Sequence, residues 1–159
     1  MALYLQRNRE IQNIFRRFVT DEDLRVYSID ESILDVTASL NLFGPAETIA
    51  LKILHTVKDE LGLIVTAGIG DNPLLAKLAL DNEAKKRSPW IAKWTYEMVA
   101  QTVWKINPMT DFWGISRGYD KRLKRMGVYT IEALAHADPL ALQKSLGVIG
   151  LQLYYHAWG

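Results

Sequence analysis

Leu24-Arg25-Val26-Tyr27-Ser28-Ile29-Asp30-Glu31-Ser32-Ile33-Leu34-Asp35-Val36-Thr37 places β-branched and apolar residues on both sides of a short polar centre. Runs of that kind read as two strands, and the polar centre as the turn that joins them. In a straight strand neighbouring side chains face opposite sides of the sheet. Asp30 and Glu31 could therefore serve one cation only at a hairpin tip, where the backbone bends. The apolar flanks favour such a tip. Two carboxylates there are suitable ligands for Mg²⁺, which takes one or two carboxylates and keeps waters or substrate phosphates in its other positions. An exposed acidic turn is the plain alternative, and the pair by itself leaves both open.

Working outward, Ile11, Ile14, Phe15, Phe18 and Val19 recur at helical spacing, with Arg7, Arg9, Arg16 and Arg17 between them, so a basic amphipathic helix is expected over Arg7–Val19. On the other side, Gly44-Pro45 closes the hairpin unit. The stripe Ala46, Ile49, Ala50, Ile53, Leu54, Val57 and Leu61 then predicts a helix stopped by Gly62. Leu63–Ile69 reads as a buried strand, Gly70-Asp71-Asn72 as a turn and cap, and Pro73–Lys86 as a helix with proline in its first turn.

The order helix, two strands, helix, strand, helix matches most of a split βαβ, ferredoxin-like arrangement, an antiparallel sheet with helices on one face. The strand ahead of the first helix is missing or reduced to Ala2–Leu5. After Lys85-Lys86-Arg87-Ser88-Pro89 an edge strand, Trp90–Trp94, and a short helix, Tyr96–Val103, are expected. From Pro108 onward only short helical pieces occur, punctuated by Gly114, Gly118, Gly127, Gly147 and Gly150. The expected class is α+β, with a sheet domain over 1–95 and an all-α domain over 96–159.

With 159 residues, 49% of them hydrophobic, the chain can bury a core. A net charge of +1 argues neither for nor against a polyanionic partner, so any nucleic-acid surface must come from local clustering. The absence of cysteine excludes disulfides, thiolate metal sites and thiol nucleophiles, and suits a cytoplasmic setting. The longest apolar stretch, Leu61–Ile69, is far shorter than the roughly 20 residues of a membrane span.

Two further stretches carry chemistry. In Thr66-Ala67-Gly68-Ile69-Gly70-Asp71-Asn72-Pro73-Leu74-Leu75-Ala76-Lys77-Leu78-Ala79 a turn opens a helix, and Lys77, one turn in, can reach a phosphate. An ordinary strand-to-helix turn with a solvated lysine is the alternative. Phe112-Trp113-Gly114-Ile115-Ser116-Arg117-Gly118, followed by Lys121, Arg122, Lys124 and Arg125, has the form of a glycine turn between helices. Its backbone N–H groups and cations can grip a phosphodiester chain without reading sequence. A helical hairpin with a solvated basic face is its alternative. Tyr154, Tyr155 and Trp158, at helical spacing, are expected in the core.

The string Tyr27–Thr37 resembles the catalytic motif of the Y-family translesion DNA polymerases of the UmuC/DinB kind, and the other two stretches follow in that family's order. The resemblance runs from about Leu3 to Gly159 and is closest to UmuC-like UV-damage repair proteins. It implies a partial palm over 1–95 and a helix-hairpin-helix thumb over 96–159. It further implies that Asp30 and Glu31 are catalytic metal ligands for Mg²⁺ in a two-metal centre, and that Lys77 contacts the incoming nucleoside triphosphate. Gly114, Ile115, Ser116, Arg117, Gly118 and Lys121 would hold the DNA backbone. Primer-template DNA and dNTP are the implied partners, and error-prone lesion bypass in DNA repair and the SOS response the implied activity.

The chain also departs from the family pattern. Ser116 stands where members carry glycine. Met1–Gln6 holds no acid to match the family's first metal-binding Asp, and no fingers or little-finger domain is recognisable. The expectation is that this chain alone does not synthesise DNA. A non-catalytic duplex-DNA-binding module, or a protein that pairs with a second copy through an open palm edge as a homodimer, are the alternative readings.

Overall fold

The computed structural model describes residues 2–159, which divide into two compact units, one up to residue 67 and one from residue 68 onward. In the first, α1 (Ala2–Phe15) leads to the hairpin of β1 (Leu24–Val26) and β2 (Ser32–Leu34), then to the one-turn α2 (Leu40–Phe43) and to α3 (Ala46–Leu61). The hairpin is antiparallel and pairs Leu24 with Leu34, Arg25 with Ile33 and Val26 with Ser32. Ile14, Ile49, Ile53 and Val57 form the buried centre, and Phe15, Phe18, Leu34, Val36 and Leu63 pack around it. The stripe of α3 and the Ile11, Ile14 and Phe15 part of the first stripe are helix faces that meet here, whereas α1 ends at Phe15 and leaves Phe18 and Val19 in the turn beyond it. Gly62 ends α3 with φ 66°, a left-handed cap that spares a side chain the clash with its own carbonyl. Arg17 and Glu60 join the ends of the two helices through paired hydrogen bonds of 2.5 and 2.8 Å.

In the second unit, β3 (Ala67–Gly70, its first residue belonging to the first unit) pairs with β4 (Ile91–Trp94), and α4 (Pro73–Asn82) packs on β4. Asn72 caps α4 by accepting the Leu75 N–H at 2.8 Å, with Pro73 in the first turn. Four helices follow: α5 (Arg117–Arg125), α6 (Ile131–Ala135), α7 (Pro139–Leu146) and α8 (Val148–His156). Gly150 lets α8 approach α7, since a Cβ there would lie 2.9 Å from that of Leu146 and closer still to the Leu142 carbonyl. One core runs through this unit, from Leu75 and Leu78 of α4 through Val103, Phe112 and Leu123 to Leu142 and Leu153.

The α+β class holds, and several details differ from expectation. Ala2–Leu5 is not a strand remnant but the first turn of α1, built from good helix formers. The described strands form two separate two-stranded sheets instead of one. Leu63–Val65 carries no ladder, although Leu63 and Val65 pack inward and Ile64 outward as in a strand. The extended pattern is there without a partner to pair with.

Helix α4 stops at Asn82 and gives way to a 3-10 turn over Ala84–Lys86. The Asn82 side chain donates to the Leu78 carbonyl at 3.0 Å, competing with the helix backbone. Tyr96–Val103 is no continuous helix, only 3-10 turns over Tyr96–Met98 and Val103–Lys105. Tyr155 and Trp158 lie outside the core, 61% and 44% exposed, whereas Tyr154 packs against it. The compact units divide at 67/68, well before residue 95, because α4 and β4 share the hydrophobic core of the helical segment.

Candidate metal centre and nucleic-acid interface

In the first unit the acidic pair sits at the hairpin tip. The Glu31 carbonyl accepts two N–H groups, from Tyr27 at 2.9 Å and Ser28 at 3.0 Å, which closes the turn and fixes where both acids leave the backbone. Asp30 is exposed and accepts the Ser28 hydroxyl at 2.8 Å, while Glu31 is half-buried. From α1, the Asn8 amide donates to the Ile29 carbonyl at 2.5 Å, and Gln12 donates in turn to Asn8. The tip is therefore pinned to a helix one residue before Asp30. Sequence reading missed Asn8; its only signal was a polar residue one turn ahead of the apolar stripe.

Asp30 and Glu31 supply hard oxygen donors of the type a divalent cation takes when substrate phosphates and water complete its shell. Among the described residues no third carboxylate or histidine joins them to make a protein-only metal cluster.

In the second unit Gly68 and Gly70 serve packing. A Cβ on Gly68 would meet the Ala76 carbonyl and come within 2.8 Å of the Leu80 Cβ; one on Gly70 would lie 2.7 Å from the Leu75 Cβ. Both glycines let β3 lie directly on the backbone of α4. The turn that follows is also occupied. Asp71 accepts the Tyr96 N–H and Asn72 donates to the Tyr96 hydroxyl, each at 2.8 Å. Lys77 is largely covered and pairs with Asp81 at 3.0 Å, and Asp81 pairs also with Lys85 at 2.7 Å. Burial pushes the Asp81 carboxyl up, but the hydrogen bonds from Lys85 and Lys77 outweigh it and hold it below the usual range.

The predicted backbone grip is a short turn on buried supports. Phe112 and Ile115 point into the core, Gly114 takes φ 101°, and Ser116 caps α5 by accepting the Tyr119 N–H at 3.4 Å. Ser116 has φ −73°, so its place does not need glycine. Ser116, Arg117 and Gly118 are exposed, as are Lys121, Arg122, Lys124 and Arg125 on α5. Lys124 is tied to Asp120 at 2.8 Å. Asp81 and Asn82 line a cleft of about 550 Å³ together with Thr110–Ser116, so the end of α4 meets this turn. The Asn82 amide donates to the Asp111 carbonyl at 3.3 Å. Sequence reading did not join these two stretches, although Asp81 lies four residues from both Lys77 and Lys85. Asp30 and Glu31 belong to the first unit, Lys77 and the turn to the second.

Comparison with known proteins follows the same lines. The family described as impB/mucB/samB matches residues 1–81. A Bacillus subtilis protein named as a UV-damage repair protein, UvrX, is 43% identical over the whole chain, which spans 37% of that relative. A DNA polymerase IV of the same organism is 36% identical over the whole chain, which spans 38% of it. Among solved structures, DinB from Sulfolobus solfataricus superposes over 98% of this chain with a TM-score of 0.80 at 24% identity, and an insertion ternary complex of Dbh DNA polymerase with 0.82 at 23%. The chain spans 45% and 44% of those structures. It belongs to the impB/mucB/samB family, the Y-family lineage that Tyr27–Thr37 resembles. No helix of the described residues is long and apolar enough to cross a membrane.

Proposed function

We propose that this chain carries the acidic pair and the DNA grip of an error-prone lesion-bypass DNA polymerase acting in DNA repair, and that it does not extend a primer by itself. The observation that carries the proposal is the closed, helix-pinned tip that presents Asp30 and Glu31. Membership of the family and relatives named for UV-damage repair and DNA polymerase support it.

In this reading Asp30 and Glu31 hold Mg²⁺, which supplies charge neutralisation at the attacking hydroxyl and the transferred phosphate. The two carboxylates act as ligands and not as proton carriers. Lys77, kept on its helix face by Asp81, meets the triphosphate of an incoming dNTP. Gly114, Ile115, Ser116, Arg117 and Gly118 offer backbone N–H groups to the DNA backbone, and Lys121 adds attraction that weakens with salt. Primer-template DNA in the cytoplasm is the partner. That no third carboxylate or histidine joins the pair among the described residues supports inactivity in isolation.

The test is primer extension by the purified chain with Mg²⁺ and four nucleotides beside an Asp30→Ala control. Extension no greater than the control is expected, and extension clearly above it contradicts the inactivity. A duplex-DNA-binding module is the second reading, favoured by the exposed basic face of α5. A homodimer through an open sheet edge is the third, favoured by sheets of only two strands. Light scattering that reports a strict monomer removes it.

A further inference from the structure

Trp90 is the only non-glycine residue with positive φ among the described residues, at 69°. A bulky side chain in that region crowds its own backbone, and glycine serves at the other such positions, Gly44, Gly62, Gly114, Gly127, Gly147 and Gly159. Burial offsets the strain only in part: Trp90 keeps 38% of its surface exposed, stands outside the core cluster, and its indole N–H makes no hydrogen bond among the described residues. A large aromatic held in a costly conformation with part of its ring open points to a role outside the fold.

Its surroundings narrow that role. The Trp90 N–H donates to the Arg87 carbonyl at 3.0 Å, which closes the loop before β4. Glu83 anchors the loop's base, pairing with Arg87 and accepting the Trp94 indole N–H at 2.6 Å. Residues 84–96 carry Lys85, Lys86, Arg87 and Lys93 and no acid. Lys86 has no acidic partner among the described residues and is exposed. A preformed loop thus offers one flat π surface beside Lys86, with Lys85 and Arg87 shared with Asp81 and Glu83. Single-stranded DNA uses both, stacking a base on the ring and placing phosphates on the cations. An acidic protein surface would answer the cations alone and leave the indole without a use.

We propose that Trp90, with Lys86 and Arg87, is a stacking site for an unpaired base of single-stranded DNA. It lies apart in sequence from the Gly114–Lys121 grip and goes beyond the function proposed above, resting on it only for the choice of DNA as the polymer.

The test measures binding of a fluorescent oligothymidine and of a hairpin duplex to the full chain, to Trp90→Gly and to Trp90→Phe, with melting temperatures for all three. Trp90→Gly is expected to bind oligothymidine about tenfold more weakly, to melt no lower than the parent because the strain is gone, and to bind duplex as before. Trp90→Phe is expected to keep most of the affinity. Unchanged oligothymidine binding in Trp90→Gly overturns the inference. So does a lower melting temperature, which would make the indole a structural support, or displacement of the oligothymidine by polyglutamate of equal charge. A chain that binds duplex but not oligothymidine sinks this inference and leaves the DNA-gripping function standing; one that binds neither sinks both.

Discussion

The acidic hairpin tip and the glycine turn before α5 are both short polar turns, yet they are built in opposite ways. The tip of β1 and β2 stands on three-residue strands and is held by polar contacts: the doubly bonded Glu31 carbonyl and the Asn8 amide. The turn before α5 is held by apolar anchors, Phe112 and Ile115, in the core that also contains α4 and α8. A site that gathers metal and substrate needs placed oxygens and open space. A site that grips a backbone needs a rigid turn, which burial supplies at lower cost in ordered polar groups.

That contrast can be broken most forcefully at its rigid side. Gly68→Val forces a branched side chain into the backbone of α4 and is expected to lower stability by about 3 kcal/mol, read as an earlier urea midpoint; a neutral outcome would deny the close approach of β3 to α4. Leu78→Ala, in the same core, is expected to cost a similar amount, about 3 kcal/mol. Reversing Lys121 and Arg125 to glutamate leaves the fold alone. Duplex binding should weaken about tenfold at low salt, with a shallower salt dependence.

At the polar side the effects are smaller. Asn8→Ala removes one amide contact to the tip and is expected to cost about 1 kcal/mol, with local amide exchange at Ile29–Glu31 rising more than global exchange. The smallest effect is a pH dependence in the second unit. Burial lowers the pKa of His156 below its ordinary value of 6.5, so the unfolded chain binds the proton more readily. Stability should fall as pH drops through 6.5 and on through the lowered value, and His156→Gln should flatten that slope.

Local signals carried much of this structure into the sequence. Apolar runs on both sides of a polar centre gave the hairpin and its tip, apolar stripes gave the faces of α1 and α3, and Gly62 and Asn72 marked a helix end and a helix start. Pairing between distant strands left no such mark, so Leu63–Val65 reads as strand and has no ladder. Gly68 reads as a strand residue and Gly70 as a turn glycine until the backbone of α4 lies against them. Of the candidate site, the sequence offers the acids, Lys77 and the turn as candidates. The contacts that organise them were not legible: Asn8 on Ile29, Asp81 between two lysines, and Asn82 against Asp111 are tertiary contacts or side-chain choices within a helix. The conformation of Trp90 is invisible in the order of its neighbours.

The central claim is that the tip still presents its two carboxylates to a divalent cation. Titration calorimetry with Mn²⁺ tests it most directly. Weak binding that disappears in Asp30→Ala, with an unchanged melting temperature, is the expected result; no heat from the parent chain, or equal heat from the variant, would contradict it.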